Sequence, residues 1–429
     1  MPGYVASLET QTCGREVGAM IPGRTMFALM LAVFAVSVGY GVVLPLLPYL
    51  IERLLGEGVG AAPVSRHTGL LTGVYALALF LFAPIWGRAS DRIGRGNILL
   101  VGLFGFGLTM MIFSFVESLI AVYAERIASG VFAAAVTPVA AATIGDFVAT
   151  EQARARRLAF MSMAGIAGFL LGPMLSVFIS RFAAAFFSIA PPTGSLKIPL
   201  TVTSLLAILV GIAVAFAVPR GRGRDQLDSA SIASVDRNVG IVPKLLVLTF
   251  IVSAGIGVFE VGLALRGKQE LGLTPYQIAL MFSECSLVMF VVQAIVFSPG
   301  VKPNITRWLV APALAVLAIG LLLVPYASDF TLMLTVVGAV AASAGILSPI
   351  LTYWISSKAG NAQGWELGKQ TSAASLGVTT GSAAGGLLFN IDAFHGASFT
   401  LAATLTALGF VLSLSLPRWL VHRDHESPQ

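Results

Sequence analysis

Long apolar runs separated by short polar segments repeat along this chain from residue 25 to residue 417. A helix needs about 20 mostly apolar residues to cross a hydrocarbon layer about 30 Å thick, and only helices or closed barrels satisfy their backbone polar groups there. These runs are continuous instead of alternating in short strands, which excludes a transmembrane barrel. They predict spans at 25–50, 69–86, 98–115, 119–145, 158–180 and 198–218, then at 243–265, 275–297, 305–326, 328–354, 366–389 and 397–417. The pattern describes an all-α membrane protein of twelve transmembrane helices in two six-helix bundles, 25–218 and 243–417. A linker, 219–242, separates them; its stretch PRGRGRDQLDSASIASVDRN is polar and lacks apolar periodicity. Tails cover 1–24 and 418–429.

Composition supports this picture: 57% of residues are hydrophobic and 11% charged, with mean hydropathy +0.89, against about 25% charged in a soluble domain. The first run is too long for a signal-peptide core and reads as a retained span. The formal charge of +6 is dispersed among short loops, whereas nucleic-acid binding calls for a clustered basic face. Of the 26 Lys and Arg, six lie in the loops facing away from the termini: Arg53, Arg66, Arg181, Lys197, Arg266 and Lys268. Arg126 falls inside span 4, and the rest share the side of the termini and linker, which the positive-inside rule makes cytoplasmic. Cys13 and Cys285 are too few and too separated for a disulfide framework or metal site.

Charges inside the spans are costly, about 3 kcal/mol each at a helix centre, and belong beside protein or a water-filled cavity. Three are singled out: Glu284 in span 8, Glu260 in span 7 and Arg126 in span 4. As its surroundings alternate between wet and dry, Glu284 is suited to bind and release a proton; the competing role for all three is pairing within the bundle. Gln277, seven residues before Glu284, shares its helix face. Tyr75 and Gln293 are further cavity candidates, each otherwise a packing residue. Trp354 and Trp365, near span ends, read as interfacial anchors, and Glu366 with Lys369 as the solvated start of span 11. Glycines four apart recur at matching places, Gly168 and Gly172 in span 5, Gly377 and Gly381 in span 11. They permit close helix packing, and their repetition in both halves points to an interface that moves.

The loop in LFAPIWGRASDRIGRGNILL, residues 81–100, holds Arg88, Asp91, Arg92 and Arg95. Topology accounts for the arginines. It does not account for Asp91, which is expected near the start of span 3 and stabilised by a helix N-terminus, nor for Gly87 and Gly94. Arg92 or Arg95 is within reach of Asp146 at the end of span 4.

Gly87, Asp91, Arg92, Gly94 and Arg95 resemble the GxxxDRxGRR loop signature of the major facilitator superfamily, with Gly96 in place of its final basic residue. Arg126 and Gly130 resemble its span 4 RxxxG signature. GFLLGP, with Gly168, Gly172 and Pro173, resembles the GxxxGPxxGG signature of the drug/proton antiporter branch, although Ser176 and Val177 replace the last glycines. GYGVVLPLLPYL and TGLLTGVYALALFLFAPIWG are similar to the tetracycline-exporter-like part of that branch. The resemblance implies a cavity lined by spans 1, 2, 4, 5, 7, 8, 10 and 11, which carry Arg126, Glu260 and Glu284. It also implies a cytoplasmic latch built on Asp91 that joins the halves when the cavity opens outward.

His67, His395, His422 and His425 lie in loops or the tail. No GxxxxGK[ST] phosphate loop is present, so no enzyme and no cofactor is expected, and pumping draws on a gradient. The expected function is secondary transport by alternating access, with proton-coupled efflux of small amphiphilic compounds. Proton symport or facilitated import of a metabolite is the alternative, supported by the missing span 5 glycines; a non-transporting sensor or scaffold is a more distant one. The expected partners are a small-molecule substrate, protons and the lipid bilayer of a bacterial inner membrane, with no nucleic acid, and the chain is expected to act as a monomer.

Overall fold

The computed structural model describes residues 22–56, 58–147, 151–187, 197–219, 241–296, 305–358, 363–391, 394 and 396–416. Most of both tails and of the linker lies outside these residues, as do His395, His422 and His425. Among the described residues the regular structure is helical, with no strand.

The first span is a rod of α1 (Gly23–Val43) and α2 (Leu47–Leu55), joined by the 3-10 turn Leu44–Leu46. Pro45 and Pro48 open the turn and α2, where the absent proline N–H forfeits little. Next come α3 (Ala61–Ile93) and α4 (Arg95–Phe113). Gly94 alone separates them at φ 106°, a conformation side-chain-bearing residues avoid. The fourth span is α5 (Leu119–Ala133) plus α6 (Val136–Phe147), interrupted just before Pro138. The first half closes with α7 (Glu151–Phe187) and α8 (Lys197–Ala217). The second holds α9 (Ile241–Gln269), α10 (Pro275–Val296), α11 (Thr306–Leu323), α12 (Phe330–Lys358), α13 (Gln363–Leu387) and α14 (Ala397–Ser413). Ten of the twelve rods are long and apolar enough to cross a membrane alone. The exceptions, the Gly- and Ser-rich α13 and the shorter α14, pack on α9 within the second half.

Buried apolar side chains form two cores. One draws on residues from Ala28 to Val218 and the other on residues from Ile241 to Leu416, joined by Leu44 from the first half. The outer surface carries Ile120, Leu209, Phe216 and Leu408, which are 83, 63, 84 and 62% exposed. Such a surface would aggregate a soluble protein; on helices of this length it meets lipid.

The halves repeat one another in detail. FAVSVGYGV, residues 34–42, recurs as FIVSAGIGV, residues 250–258, keeping Phe, Val, Ser, both Gly and the last Val. Each copy receives the same glycine pair. A β-carbon on Gly168 would strike Phe34 O and Ser37 Cβ, and one on Gly377 would strike Phe250 O and Ser253 Cβ. Gly172 and Gly381 meet Val38 O and Ala254 O in the same way. These glycines therefore seat α7 on α1 and α13 on α9 inside each bundle, so the close approach expected of them at a moving interface is used within the halves. Pro173 joins the first of these contacts, its Cδ against Gly41.

Candidate functional site

Two positions at which the halves differ meet across the seam between them. Tyr40 stands where the second copy has Ile256, and Glu260 where the first has Leu44. The Tyr40 hydroxyl donates to Glu260 Oε2 at 2.6 Å. Tyr40 is also stacked between Tyr75 of α3, at 5.4 Å, and Phe169 of α7, at 5.6 Å. Phe169 in turn meets Phe282 of α10 edge-on at 6.2 Å. A line of rings thus runs from the first half into the second, with a carboxylate beside it.

Arg126 closes the first-half end of this line. Its guanidinium lies 5.5 Å from the Tyr75 ring centroid and 4.7 Å from that of Phe113. It is also held by Glu125 in a two-pronged ion pair, Nε to Oε2 at 2.7 Å and Nη2 to Oε1 at 3.1 Å. Both side chains are nearly fully buried. Glu125 is absent from the sequence-based candidates; its signal was direct adjacency to a buried arginine in the stretch AERIASG. Gly130 brings α5 onto α3 beneath this group, since a β-carbon there would lie 2.7 Å from Ala78 Cβ and 2.8 Å from Tyr75 O. Tyr40, Val43, Leu44, Leu47, Thr72, Tyr75 and Arg126 enclose a small pocket with room for roughly one water molecule.

Other expected residues fall elsewhere. Glu284 lies against Gly338 of α12: one oxygen is 3.4 Å from where a β-carbon on that glycine would stand, and the other is buried without a hydrogen-bond partner among the described residues. Gln277 does not join it. Its side-chain oxygen accepts from Thr274 N at 2.9 Å and Thr274 Oγ1 at 3.0 Å, so it is used in capping the start of α10. Gln293 is buried near the opposite end of α10. Trp354 is no interfacial anchor: it is buried and its indole N–H donates to Thr306 Oγ1 at 3.1 Å, as a buried Trp requires. The Trp365 side chain lies outside the description. Glu366 and Lys369 pair with each other at 2.7 Å.

At the end of the seam opposite the termini, the halves are clasped. Lys268 of α9 pairs with Glu52 at 2.5 Å, donates to Pro48 O at 3.0 Å and sits 4.8 Å over the Tyr49 ring. The Tyr49 hydroxyl donates to Leu273 O at 2.5 Å. Asn390 Nδ2 donates to Ser65 Oγ at 2.6 Å and to Gln269 Oε1 at 3.1 Å. Below this clasp α3 and α13 touch backbone to backbone: a β-carbon on Gly69 would lie 2.6 Å from Gly386 Cα, and one on Gly73 3.0 Å from Thr379 O.

At the other end, Arg95 pairs with Asp91 at 2.6 Å and with Asp146 at 3.0 Å, and donates to Ser90 Oγ at 2.5 Å. The expected reach to Asp146 is present through Arg95, while Arg92 is exposed. Asp91 differs from expectation, because α3 runs on to Ile93 and leaves Asp91 in its last turn. A helix C-terminus disfavours an acid, and the Arg95 guanidinium offsets that. Gly87 has open space around it, whereas Gly94 supplies the sharp break into α4. All these contacts stay within the first half.

The chain is 26% identical over 399 residues to Multidrug resistance protein 2 of Bacillus subtilis (strain 168), covering 91% of this chain and 95% of that protein. It is 23% identical over 371 residues to Quinolone resistance protein NorA of Staphylococcus aureus (strain COL), covering 86% and 90%. Among solved structures, the human organic anion transporter MFSD10 (TETRAN) superposes with a TM-score of 0.70 at 21% identity, over 91% of this chain and 99% of that one. The profile of the Major Facilitator Superfamily matches residues 29–368. With that match spanning both bundles, the chain belongs to the Major Facilitator Superfamily and is a multi-pass membrane transporter.

Proposed function

We propose that this transporter is a proton-driven exporter of small amphiphilic compounds, working as a monomer in a bacterial inner membrane with both termini and the 219–242 linker in the cytoplasm. The bundles 25–218 and 243–417 are its two moving bodies. The observation that carries this reading is the Tyr40–Glu260 hydrogen bond, which sets a membrane-buried carboxylate directly on the seam. A group in that position is exposed to one side and then the other as the bundles rock, which is what coupling a proton to transport requires. The ring faces of Tyr40, Tyr75 and Phe169 beside it suit the apolar parts of amphiphilic compounds once the bundles part, the niche they border having room for roughly one water molecule in this state. The names carried by the two bacterial relatives point the same way.

The clasp at Lys268 and Glu52 closes the side opposite the termini, so this state admits substrate from the cytoplasm. Substrate entering the seam between the bundles competes with the Tyr40 hydroxyl and with a proton for Glu260. After the bundles rock, protonation of Glu260 from the other side removes its charge and releases the substrate, and the proton leaves on the return. Glu284 is a second proton carrier in this scheme, and Asp91, Arg95 and Asp146 latch the cytoplasmic end when it shuts.

The test is ethidium uptake into inverted membrane vesicles under an imposed proton gradient. The parent should accumulate ethidium when the vesicle interior is acid and stop when the gradient is collapsed. Glu260→Gln, correctly folded, should lose that dependence. Uptake indifferent to the gradient in the parent would overturn proton coupling, and uptake only with the gradient reversed would overturn export.

A further inference from the structure

The last residues of α9 divide their contacts between the two halves. Lys268 and Gln269 face the first half: Lys268 meets Glu52 and Pro48 O, while Gln269 Oε1 accepts from Ser65 Oγ at 3.2 Å and its Nε2 donates to Ala61 O at 3.1 Å. The two residues before them face their own half. A β-carbon on Gly267 would lie 2.9 Å from Ile278 Cγ1 of α10. Arg266 is buried, pairs with Glu270 one turn on, and donates from Nη2 to Ala327 O at 2.8 Å. The chain then turns at Gly272, φ 58°, where Leu273 N–H donates back to Gly267 O at 2.8 Å, and Leu273 O accepts from the Tyr49 hydroxyl across the seam.

Ala327 follows the turn Val324–Tyr326 between α11 and α12. Pro325 of that turn packs beside Gly396, where a β-carbon would lie 2.9 Å from the proline Cγ. The turn therefore also backs the connection that leaves α13, whose Asn390 donates to Ser65 and Gln269. One buried guanidinium thus fastens the α9 arm of the clasp to the turn behind its α13 arm. The Gly267–Ile278 contact is apolar and can slide, whereas the bonds of Arg266 are directional. They are held at a cost, because Arg266 Nε is buried with no partner among the described residues; an apolar side chain would fill the place without it.

We propose that Arg266 is the positioning residue of the clasp: it makes residues 266–273 part of the rigid body of the second bundle, so that rocking of that bundle draws Lys268, Gln269 and Leu273 off the first half together. This rests on the reading above that the clasp is a gate between two moving bundles. Without Arg266 the segment stays on the first half, held by its own contacts there, while the bundle behind it turns. The gate then lags the bundle and slows the cycle. Binding of substrate deeper in the seam is left as it was, because Arg266 faces away from the seam into its own half.

Spin-label distances on purified full-length protein in nanodiscs test this. One label pair, Leu55 and Leu271, spans the seam; the other, Leu271 and the lipid-facing Leu408, lies within the second half. Lys268→Glu, which opens the clasp, should lengthen the first distance and leave the second unchanged. Adding Arg266→Gln should broaden the second distribution about twofold or more, as a segment released from its bundle does. In ethidium transport Arg266→Gln alone should lower the maximal rate about fivefold or more and keep the half-saturating concentration within about twofold of the parent. Arg266→Lys keeps the charge but lacks the planar fork that serves two acceptors on different elements, and should fall between the two; a lysine variant equal to the parent overturns the proposal. So does a folded Arg266→Gln with the parent's Leu271–Leu408 distribution, or one that melts lower and transports at the parent's rate per folded molecule. Should Arg266→Gln fail to fold, the parent chain decides, because a Leu271–Leu408 distance that changes with Lys268→Glu overturns the proposal by itself. A Leu55–Leu271 distance that Lys268→Glu leaves fixed would instead show that the clasp is not a gate, which removes the functional reading and this proposal with it.

Discussion

Tyr40 and Glu260 lie 220 positions apart in the chain and are joined by a 2.6 Å hydrogen bond across the seam of the two bundles. Each occupies a place where the other half's repeat carries an aliphatic residue, Ile256 or Leu44. The bond thus joins two positions at which the halves differ. A hydrogen bond to a charged group is worth about 1.5 kcal/mol net, close to tenfold in an equilibrium. Tyr40→Phe keeps the ring stack and removes only the hydroxyl. It is expected to shift the population about tenfold toward the state open on the side away from the termini. Spin labels at Leu55 and Leu271, with distances measured by electron paramagnetic resonance, would read this. A distance distribution identical to the parent's would mean that the hydroxyl does not hold the seam.

The clasp around Lys268 gives a second prediction. Glu52 is 55% exposed, so its charge contributes at most about 1 kcal/mol, and Glu52→Gln should change transport less than about fivefold. Lys268 has more to lose, with the carbonyl of Pro48 and the ring of Tyr49 also against it. Lys268→Glu should open the clasp and reduce transport at least tenfold, with the exchange Glu52→Lys/Lys268→Glu recovering part of it. The same ethidium assay measures all three, and equal activity in Lys268→Glu and the parent would exclude the clasp as a gate.

Glycines on the seam and glycines inside a bundle should fail differently. A valine at Gly386 cannot coexist with the approach of Gly69, whose β-carbon position is 2.6 Å from Gly386 Cα, so the seam would stay wedged apart while each bundle remains intact. Gly386→Val is predicted to leave melting temperature within a few degrees and to abolish turnover. Gly377→Val, which drives a side chain into Phe250 O and Ser253 Cβ within one bundle, is predicted to lower melting temperature and yield, because overpacking costs about 1 to 3 kcal/mol or more. Thermal unfolding of the two variants side by side checks the contrast.

These contrasts also mark what the sequence alone discloses. The spans are readable because a membrane imposes their length: the ends of α4, α9 and α10 fall within about four residues of the predicted runs, whereas α3 overruns its run by eight residues at the start and seven at the end. The breaks at Leu44–Leu46 and before Val136 are not visible to a hydropathy window, since prolines at a helix start leave the run apolar. Gln277 was placed beside Glu284 by the seven-residue repeat of a helix face, but Thr274 three residues before it engages the amide locally. Glu125 lies inside the predicted span 4 like Arg126, so the same insertion cost marks it; its pairing with Arg126 is what the sequence does not show, because adjacent helical positions normally point apart. Tyr40 gave no signal because a single tyrosine in an apolar helix looks like packing; what marks it is its partner in a distant helix. Helix periodicity thus reports which residues share a face, and the contacts across the seam depend on how two complete bundles meet.

Glu284 supplies the final prediction, through a conflict between stability and function. One of its carboxylate oxygens is buried with no hydrogen-bond partner among the described residues, in contact range of Gly338. An acid in such a place costs a membrane protein about 3 kcal/mol at a helix centre on insertion scales, and a residue kept at that cost without a structural partner is expected to serve transport. Glu284→Gln removes the charge at nearly constant volume. It should leave the melting temperature unchanged or raised by a few degrees while lowering gradient-driven ethidium uptake at least tenfold. Combined with Glu260→Gln it should have little further effect if both groups act on one proton path, because residues acting as a unit are not additive. A Glu284→Gln protein that melts lower and transports normally would reverse the assignment: the carboxylate would then be holding α10 against α12, with Glu260 left as the only proton carrier of the two.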